Sequence, residues 1–404
     1  MGAQLRRYPW TYGIVLGLGY FGITVLGPIF NTYVPLLLHD FGLSATAVGL
    51  VMTLDNYLQI FVPAWAGAAS DRTWNRLGRR KPWLLAGAPA GIVTFFLIPI
   101  MVTLPGLMVV ILIHDIAVTV IRAPGLALLA DLFAPADRSK ASGIINLVGG
   151  LGAVAALAGS GWAYSLGRQM PFWLGGLLML GGSLVFLLAV RERREWVSRA
   201  GDGAITVWKR LRAIARGAVK GDGDRPVALL LLSTLCAFTS YSILETWVSS
   251  YGAFVLGLDE GRVPLILAIF AGALLIGAIP SGFVGARLGH KRAMAMGMVV
   301  LTVAFTVGLF VKTPLAVMIM LAPAGVAWAL VIINLFPMLY AIGGDGSAGL
   351  FTGLYYTVTS VSAIAGPQAV GALLDATGQN YAVMWVSAAL FMAAAVGLLA
   401  KVRD

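Results

Sequence analysis

The chain reads as an all-α membrane protein of twelve transmembrane helices, arranged as two pseudo-symmetric six-helix halves, and three observations predict that class. First, 59% of its 404 residues are hydrophobic and only 11% are charged, which leaves too little polar surface to coat a soluble globule. Second, apolar stretches of about 20 residues recur twelve times, each long enough to cross ~30 Å of hydrocarbon. Third, the short basic loop after the second stretch returns after the eighth, 211 residues on from Gly78 to Gly289.

The expected spans are Thr11–Leu38, Ser44–Ser70, Trp83–Thr103, Leu107–Phe133, Ala141–Tyr164, Phe172–Val190, Val227–Leu256, Val263–Ala286, Ala293–Phe310, Leu315–Ala341, Ala348–Leu374 and Tyr381–Leu399. They divide the chain into an N-terminal bundle (1–190), a cytosolic linker (191–226) and a C-terminal bundle (227–404). Placing the N-terminus in the cytosol leaves only Arg168, Arg262 and Lys312 in outer loops and Arg122 inside a helix, so the other 24 of the 28 Lys and Arg fall on the cytosolic side. That bias puts both termini in the cytosol of a multi-pass cell-membrane protein.

The formal charge of +11 lies in short interhelical loops, where topology accounts for it and nucleic acid is not required. Cys236 is the only cysteine, so an intrachain disulfide is impossible and no cysteine metal site is suggested. Met1–Trp10 is followed by a span with no small-residue cleavage site, and is expected to lead into helix 1 instead of forming a cleavable signal. No nucleotide loop, His-rich metal spacing or nucleophile elbow is present, so neither an enzyme, nor a cofactor, nor a metal centre is expected.

In span 1, Gly17, Gly19 and Gly22 match a dinucleotide fingerprint in form, but no strand precedes them and close helix packing explains them. Asn31 and Tyr33, toward its outer end, are polar groups able to hydrogen-bond a hydroxylated solute. Span 2 carries Asp55, Asn56 and Gln59, with Asp55 and Gln59 one turn apart on one face. They suit a Na⁺ or hydronium site, a protonatable gate, or a plain interhelical hydrogen bond. In the loop that follows, Gly67 lets two helices close, Asp71 can pair with basic side chains, Gly78 permits the turn, and Arg72, Arg79 and Arg80 lead a basic cluster suited to anionic headgroups.

Span 4 holds the central prediction. At about 100° per residue, Asp115 and Arg122 lie about 20° apart on one face and about 10 Å apart in rise. A charge in hydrocarbon costs about 2.5–3.5 kcal/mol, so the two should face a protein-lined interior as the working centre of a transporter, or else fix helix packing as a buried ion pair. Asp131 is nine residues past Arg122, on the opposite face near the cytosolic end, which predicts pairing there with the helix end or the cytosolic loops. In span 5, Asn146 stands beside Gly149, Gly150 and Gly152, a face suited to close packing. The linker is rich in charge around Trp196 and Trp208 and reads as an amphipathic surface segment.

The second half adds Tyr241 and Glu245 in span 7, Trp328 and Asn334 in span 10, and Tyr355 and Tyr356 in span 11. Sugars present apolar C–H faces and hydroxyl edges, and aromatics beside carboxylates and amides match both. Arg287 and Gly289 repeat the cytosolic loop. Parallel halves place a binding site near the midplane.

The run Ser70-Asp71-Arg72, then Gly78-Arg79-Arg80 and Pro82, resembles the signature loop of the major facilitator superfamily in the form found in plant sucrose transporters and their animal and bacterial relatives, near the melibiose permease group of cation-coupled carriers. Asp115 stands at the matching distance before Leu128-Leu129-Ala130-Asp131-Leu132, and the resemblance extends to Asn334-Leu-Phe-Pro337 and Gly353-Leu-Tyr-Tyr356. It implies that Asp115 accepts a proton and contacts sugar. The plant pattern places its arginine where this chain has Leu126, so the partner role passes to Arg122, one turn earlier. The expected function is proton-coupled symport of a sugar or glycoside by a monomer in the lipid bilayer, with H⁺ as coupling ion and Na⁺ as the other candidate. An exporter of drugs or other organic solutes and a non-transporting sensor or scaffold are the alternatives.

Overall fold

The regular structure of the described residues is helical because backbone N–H and C=O groups in hydrocarbon must be satisfied within their own segment. A computed structural model describes residues 8–133, 135–192, 225–343 and 348–402. Among them it contains twelve helical segments long and apolar enough to cross a membrane, and isolated bridges but no strand. The charged linker, with Trp196 and Trp208, lies outside the described residues except at its edges.

The helices are α1 (Gly13–Asp40), α2 (Ala45–Met52), α3 (Leu54–Arg72), α4 (Lys81–Leu97), α5 (Leu104–Leu132), α6 (Pro135–Leu166), α7 (Met170–Ala189), α8 (Arg225–Phe254), α9 (Pro264–Leu288), α10 (His290–Gly308), α11 (Pro314–Gly343), α12 (Ala348–Ala376) and α13 (Ala382–Ala400). They match the expected spans to within a few residues at most ends, with one difference. The second span is not one rod: it breaks at Thr53, between α2 and α3. The Thr53 hydroxyl turns back to donate to the Gly49 and Leu50 carbonyls, competition with the backbone that Ser and Thr commonly set up and that bends helices. Asp55 therefore sits in the first turn of a new helix, whereas a continuous span would place it mid-helix.

The described chain forms two compact units, and their borders fall inside spans 1 and 2. One contains α1 as far as Phe30 and the chain from Tyr57 through α7; the other contains Asn31–Asn56 and α8 to α13. In the first, α4 packs on α5 and α7. A Cβ on Gly22 would lie 2.7 Å from the Met179 Cα of α7, so that glycine of the apparent dinucleotide fingerprint serves helix packing.

In the second unit α9 lies along α11, α10 bridges α11 and α13, and α8 is covered by α12 and α13. The closest backbone approach is at Gly325, where an added Cβ would meet the Phe270 carbonyl oxygen at 2.2 Å. A backbone oxygen cannot rotate away as a side chain can. Gly325→Val is therefore expected to destabilise the protein by about 1–3 kcal/mol, as overpacking does, and to lower its melting temperature in detergent; an unchanged melting temperature would show that α9 and α11 have room to separate.

Candidate functional site

At one end of the first unit the signature loop between α3 and α4 is an ionic knot. The buried Arg80 guanidinium reaches Asp71 at 2.5 Å and, through Nε, Asp131 at 3.1 Å; it also donates to Ser70 Oγ. Arg79 pairs with Asp71 as well. Asp131 thus comes back from the end of α5 to meet the loop between α3 and α4. Arg72 is exposed and outside the knot, and Gly67 contributes only its carbonyl, 3.5 Å from Arg80 Nη1.

A residue absent from the sequence-based expectations completes the knot. Glu192, two residues past the sixth span, accepts from the backbone N–H groups of Arg79 (2.7 Å), Arg80 (2.9 Å) and Lys81 (2.8 Å). These are donors at the start of α4 that the helix itself leaves unsatisfied, at its positive end. Gly78, at φ +119, makes the turn that aims them. The signal available in sequence was an isolated carboxylate at the edge of an otherwise basic linker.

The repeat of this loop in the second unit is built around a neutral amide, with the Lys291 ammonium donating to the Val402 carbonyl beside it. Gly289 (φ +89) separates α9 from α10, and Arg287 is exposed. His290 Nδ1 lies 2.8 Å from Asn334 Oδ1, an amide oxygen that can only accept, so the ring nitrogen donates. Asn334 Nδ2 in turn donates to the Ser281 (3.2 Å) and Leu330 (3.0 Å) carbonyls. Only 1% exposed, Asn334 has its amide committed on both sides to α9, α10 and its own helix. Its amide ties helices together here, where the sequence suggested a solute contact.

Within the membrane, Asp115 is buried at 5% exposure while Arg122 is exposed. The guanidinium donates to Gln59 Oε1 of α3, where the sequence suggested Asp115 as its partner. Two full turns, about 10 Å of rise, separate the acid from the base, and the amide one helix away lies within easier reach. Beside Asp115, His114 is packed between Phe30 and Phe95, with Nδ1 3.2 Å from the Gly91 carbonyl. A carbonyl can only accept, which puts the proton on Nδ1.

In the second unit the polar and aromatic residues of spans 1, 2, 7, 10 and 11 gather around α8. Phe238, Tyr241 and Glu245 recur at i, i+3 and i+7, one helical face, and all three are half-buried. Asn31 Nδ2 of α1 donates to Glu245 Oε1 at 3.4 Å, and Tyr241 hydrogen-bonds the same carboxylate. Asp55 acts on Glu245 electrostatically, and Asn56 Nδ2 donates to Asp55 Oδ1 at 2.8 Å.

Behind the carboxylate, Trp328 stacks on Tyr241 with centroids 4.7 Å apart and planes 7° from parallel. Phe238 meets both Trp328 and Tyr355 edge-on. Trp328 is 3% exposed and Tyr33 2%, so in this structure both rings are buried behind the half-buried face. Tyr355 is half-buried and Tyr356 is exposed. Phe238 was missed in sequence, although its spacing from Tyr241 and Glu245 marks it.

Such a fold, with paired basic loops and carboxylates inside apolar spans, matches a known family. A model of the Major Facilitator Superfamily fits residues 13–367. The chain belongs to that superfamily. It is a membrane transporter of this type, similar across 96% of its length to the solved nucleoside transporter NupG (98% of that chain, TM-score 0.73, 15% identity). A bacterial homologue of the human lysosomal transporter Spinster, solved inward-facing and unoccupied, is similar over 99% of this chain and 95% of its own, with TM-score 0.69 and 14% identity. These identities speak for the fold alone.

Among curated proteins, this superfamily member matches triacylglyceride transporters of Mycolicibacterium hassiacum (30% identity over 97 residues) and Mycolicibacterium smegmatis (27% over 135 residues). Those stretches are 24% and 33% of this chain, and the chain spans only 18% and 21% of those relatives' length.

Removing one partner from a buried ionic cluster leaves its carboxylate uncompensated, at a cost of about 3–5 kcal/mol. Arg80→Gln is expected to destabilise the detergent-solubilised protein by that order, and adding Asp131→Asn to recover part of the loss. Equal stability of the single and double variants, read by thermal unfolding, would remove Asp131 from the knot.

Proposed function

We propose that the chain is a secondary active symporter that carries a sugar or glycoside together with a proton across the cell membrane, with both termini in the cytosol. The observation that supports this best is the face of α8, where an aromatic pair stands one turn from a carboxylate already holding an amide and a phenol. Aromatic faces take the C–H side of a sugar ring, and Glu245 with Asn31 takes its hydroxyls. Tyr241, Tyr355 and Tyr356 supply the accessible rings, with Trp328 holding Tyr241 in place.

Asp115 is the proton carrier in this scheme. Buried in a membrane span, it is neutral when protonated and needs a counter-charge when not. The contact of Arg122 with Gln59 is the arrangement expected while Asp115 holds its proton; loss of the proton draws the guanidinium back. Coupling requires only that the two protonation states of Asp115 favour different conformations or different solute affinities. Asp55, capped by Asn56 at the break in the second span, is the second coupling group, and the residue to which a Na⁺ dependence would trace.

A second reading, transport of an apolar or amphiphilic organic solute with export as the direction, is favoured by the partial matches to triacylglyceride transporters and by the depth of the aromatic layer behind Glu245.

Reconstitution in liposomes with pH and Na⁺ gradients imposed separately tests both. A pH gradient is expected to drive sugar accumulation, and Asp115→Asn to abolish uphill uptake while retaining exchange. Glu245→Gln is expected to weaken solute affinity at least tenfold. Uphill uptake by Asp115→Asn at the parent rate would remove Asp115 from coupling; indifference to every sugar with flux of an apolar solute would favour the second reading.

A further inference from the structure

The short helix α2 is held at both ends by α12, although 330 residues separate the partners. At its N-terminus, Asp375 Oδ1 accepts from the Ala45 N–H at 2.9 Å, and Oδ2 accepts from the Thr46 N–H at 2.8 Å and the Thr46 hydroxyl at 2.5 Å. Ser44 Oγ caps the next N–H, that of Ala47, at 3.3 Å. At its C-terminus, Gln368 Nε2 donates to the Thr53 hydroxyl at 2.8 Å.

Gln368 and Asp375 are seven residues apart, about 10 Å along one face of α12, and α2 with Thr53 is about 12 Å long. The two clamps thus fit opposite ends of one antiparallel rod. Between them a Cβ on Gly371 would stand 2.7 Å from the Ala45 carbonyl, so the backbones touch. In chain order α2 belongs to the N-terminal six spans and α12 to the C-terminal six. The compact unit that contains α12 nevertheless takes in the chain through Asn56, three residues beyond the break at Thr53, and releases it at Tyr57.

We propose that Asp375 is a releasable latch that fastens the outer end of the second span to α12, with the Thr53 break as its hinge. A carboxylate on the positive end of a helix, accepting from two backbone N–H groups and a hydroxyl, is a strong contact made of three hydrogen bonds that can all part in one step. Water at the outer surface can replace each bond, so release needs no buried charge. While the latch holds, Gln368 and the break set where α3 starts and so position Asp55 toward Glu245. When it opens, α2 swings without unwinding α3. The latch rests on the chain's being a transporter and not on the identity of its solute.

The test reads outer accessibility in whole cells. In a Cys236→Ser background, Val48→Cys, at a buried position of α2 (3% exposed), is titrated with a membrane-impermeant maleimide, with Lys312→Cys as an exposed outer-loop control. Asp375→Asn is expected to raise the labelling rate at Val48→Cys at least fivefold and to leave Lys312→Cys unchanged, with Asp375→Glu returning it toward the parent. Thr46→Val breaks the same contact from the other helix and is expected to give a smaller rise in the same direction, so the test survives if Asp375→Asn fails to insert. No rise at Val48→Cys in Thr46→Val, or an equal rise at Lys312→Cys, would overturn the latch.

Discussion

A charged group in a layer with no water must be answered by the protein itself, and most features of this transporter follow from how each carboxylate is answered. Asp71 and Asp131 share Arg80. Glu192 takes three backbone N–H groups at the start of α4, and Asp375 takes two at the start of α2. Glu245 holds an amide from α1 and a phenol from its own helix. The first four lie at helix ends, where unsatisfied donors or arginines are at hand; the last lies mid-span, where none is, and leans on uncharged partners.

That difference separates anchoring from working groups. Ion pairs and helix-end caps hold geometry because both partners are charged or dipolar and both are buried or nearly so. A mid-span carboxylate held only by neutral groups changes its surroundings whenever it gains or loses a proton, since no fixed cation offsets its charge. Glu245, held by the Asn31 amide and the Tyr241 phenol, belongs to this second kind.

The two loops, alike in sequence, are stabilised by different contacts among the described residues. The first is ionic and draws on α3, α4, α5 and the residue after α7. In the second, His290, Asn334, Ser281 and Leu330 form a neutral chain, beside a Lys291 ammonium that donates to the Val402 carbonyl. An ionic knot opens to water with each charge rehydrated, whereas a buried amide released from its carbonyls leaves unsatisfied groups behind.

Twelve spans, their order, the paired loops and the short list of intramembrane polar residues follow from composition and periodicity, because a bilayer demands long apolar helices and penalises every charge placed in one. Partner choice does not. Seven residues of spacing brought Asp115 and Arg122 to one face, yet the guanidinium went to Gln59, because a neighbouring helix offered an acceptor nearer than two turns of its own. Asn334 has the residue type of a solute contact, and His290 with two carbonyls takes its amide in this structure. The caps made by Glu192 and Asp375 join residues more than 100 and 300 positions apart, and the break at Thr53 depends on a hydroxyl turning to its own backbone. Local pattern decides which segments enter the membrane; which polar groups satisfy one another there is decided by distances that exist only once the helices have packed.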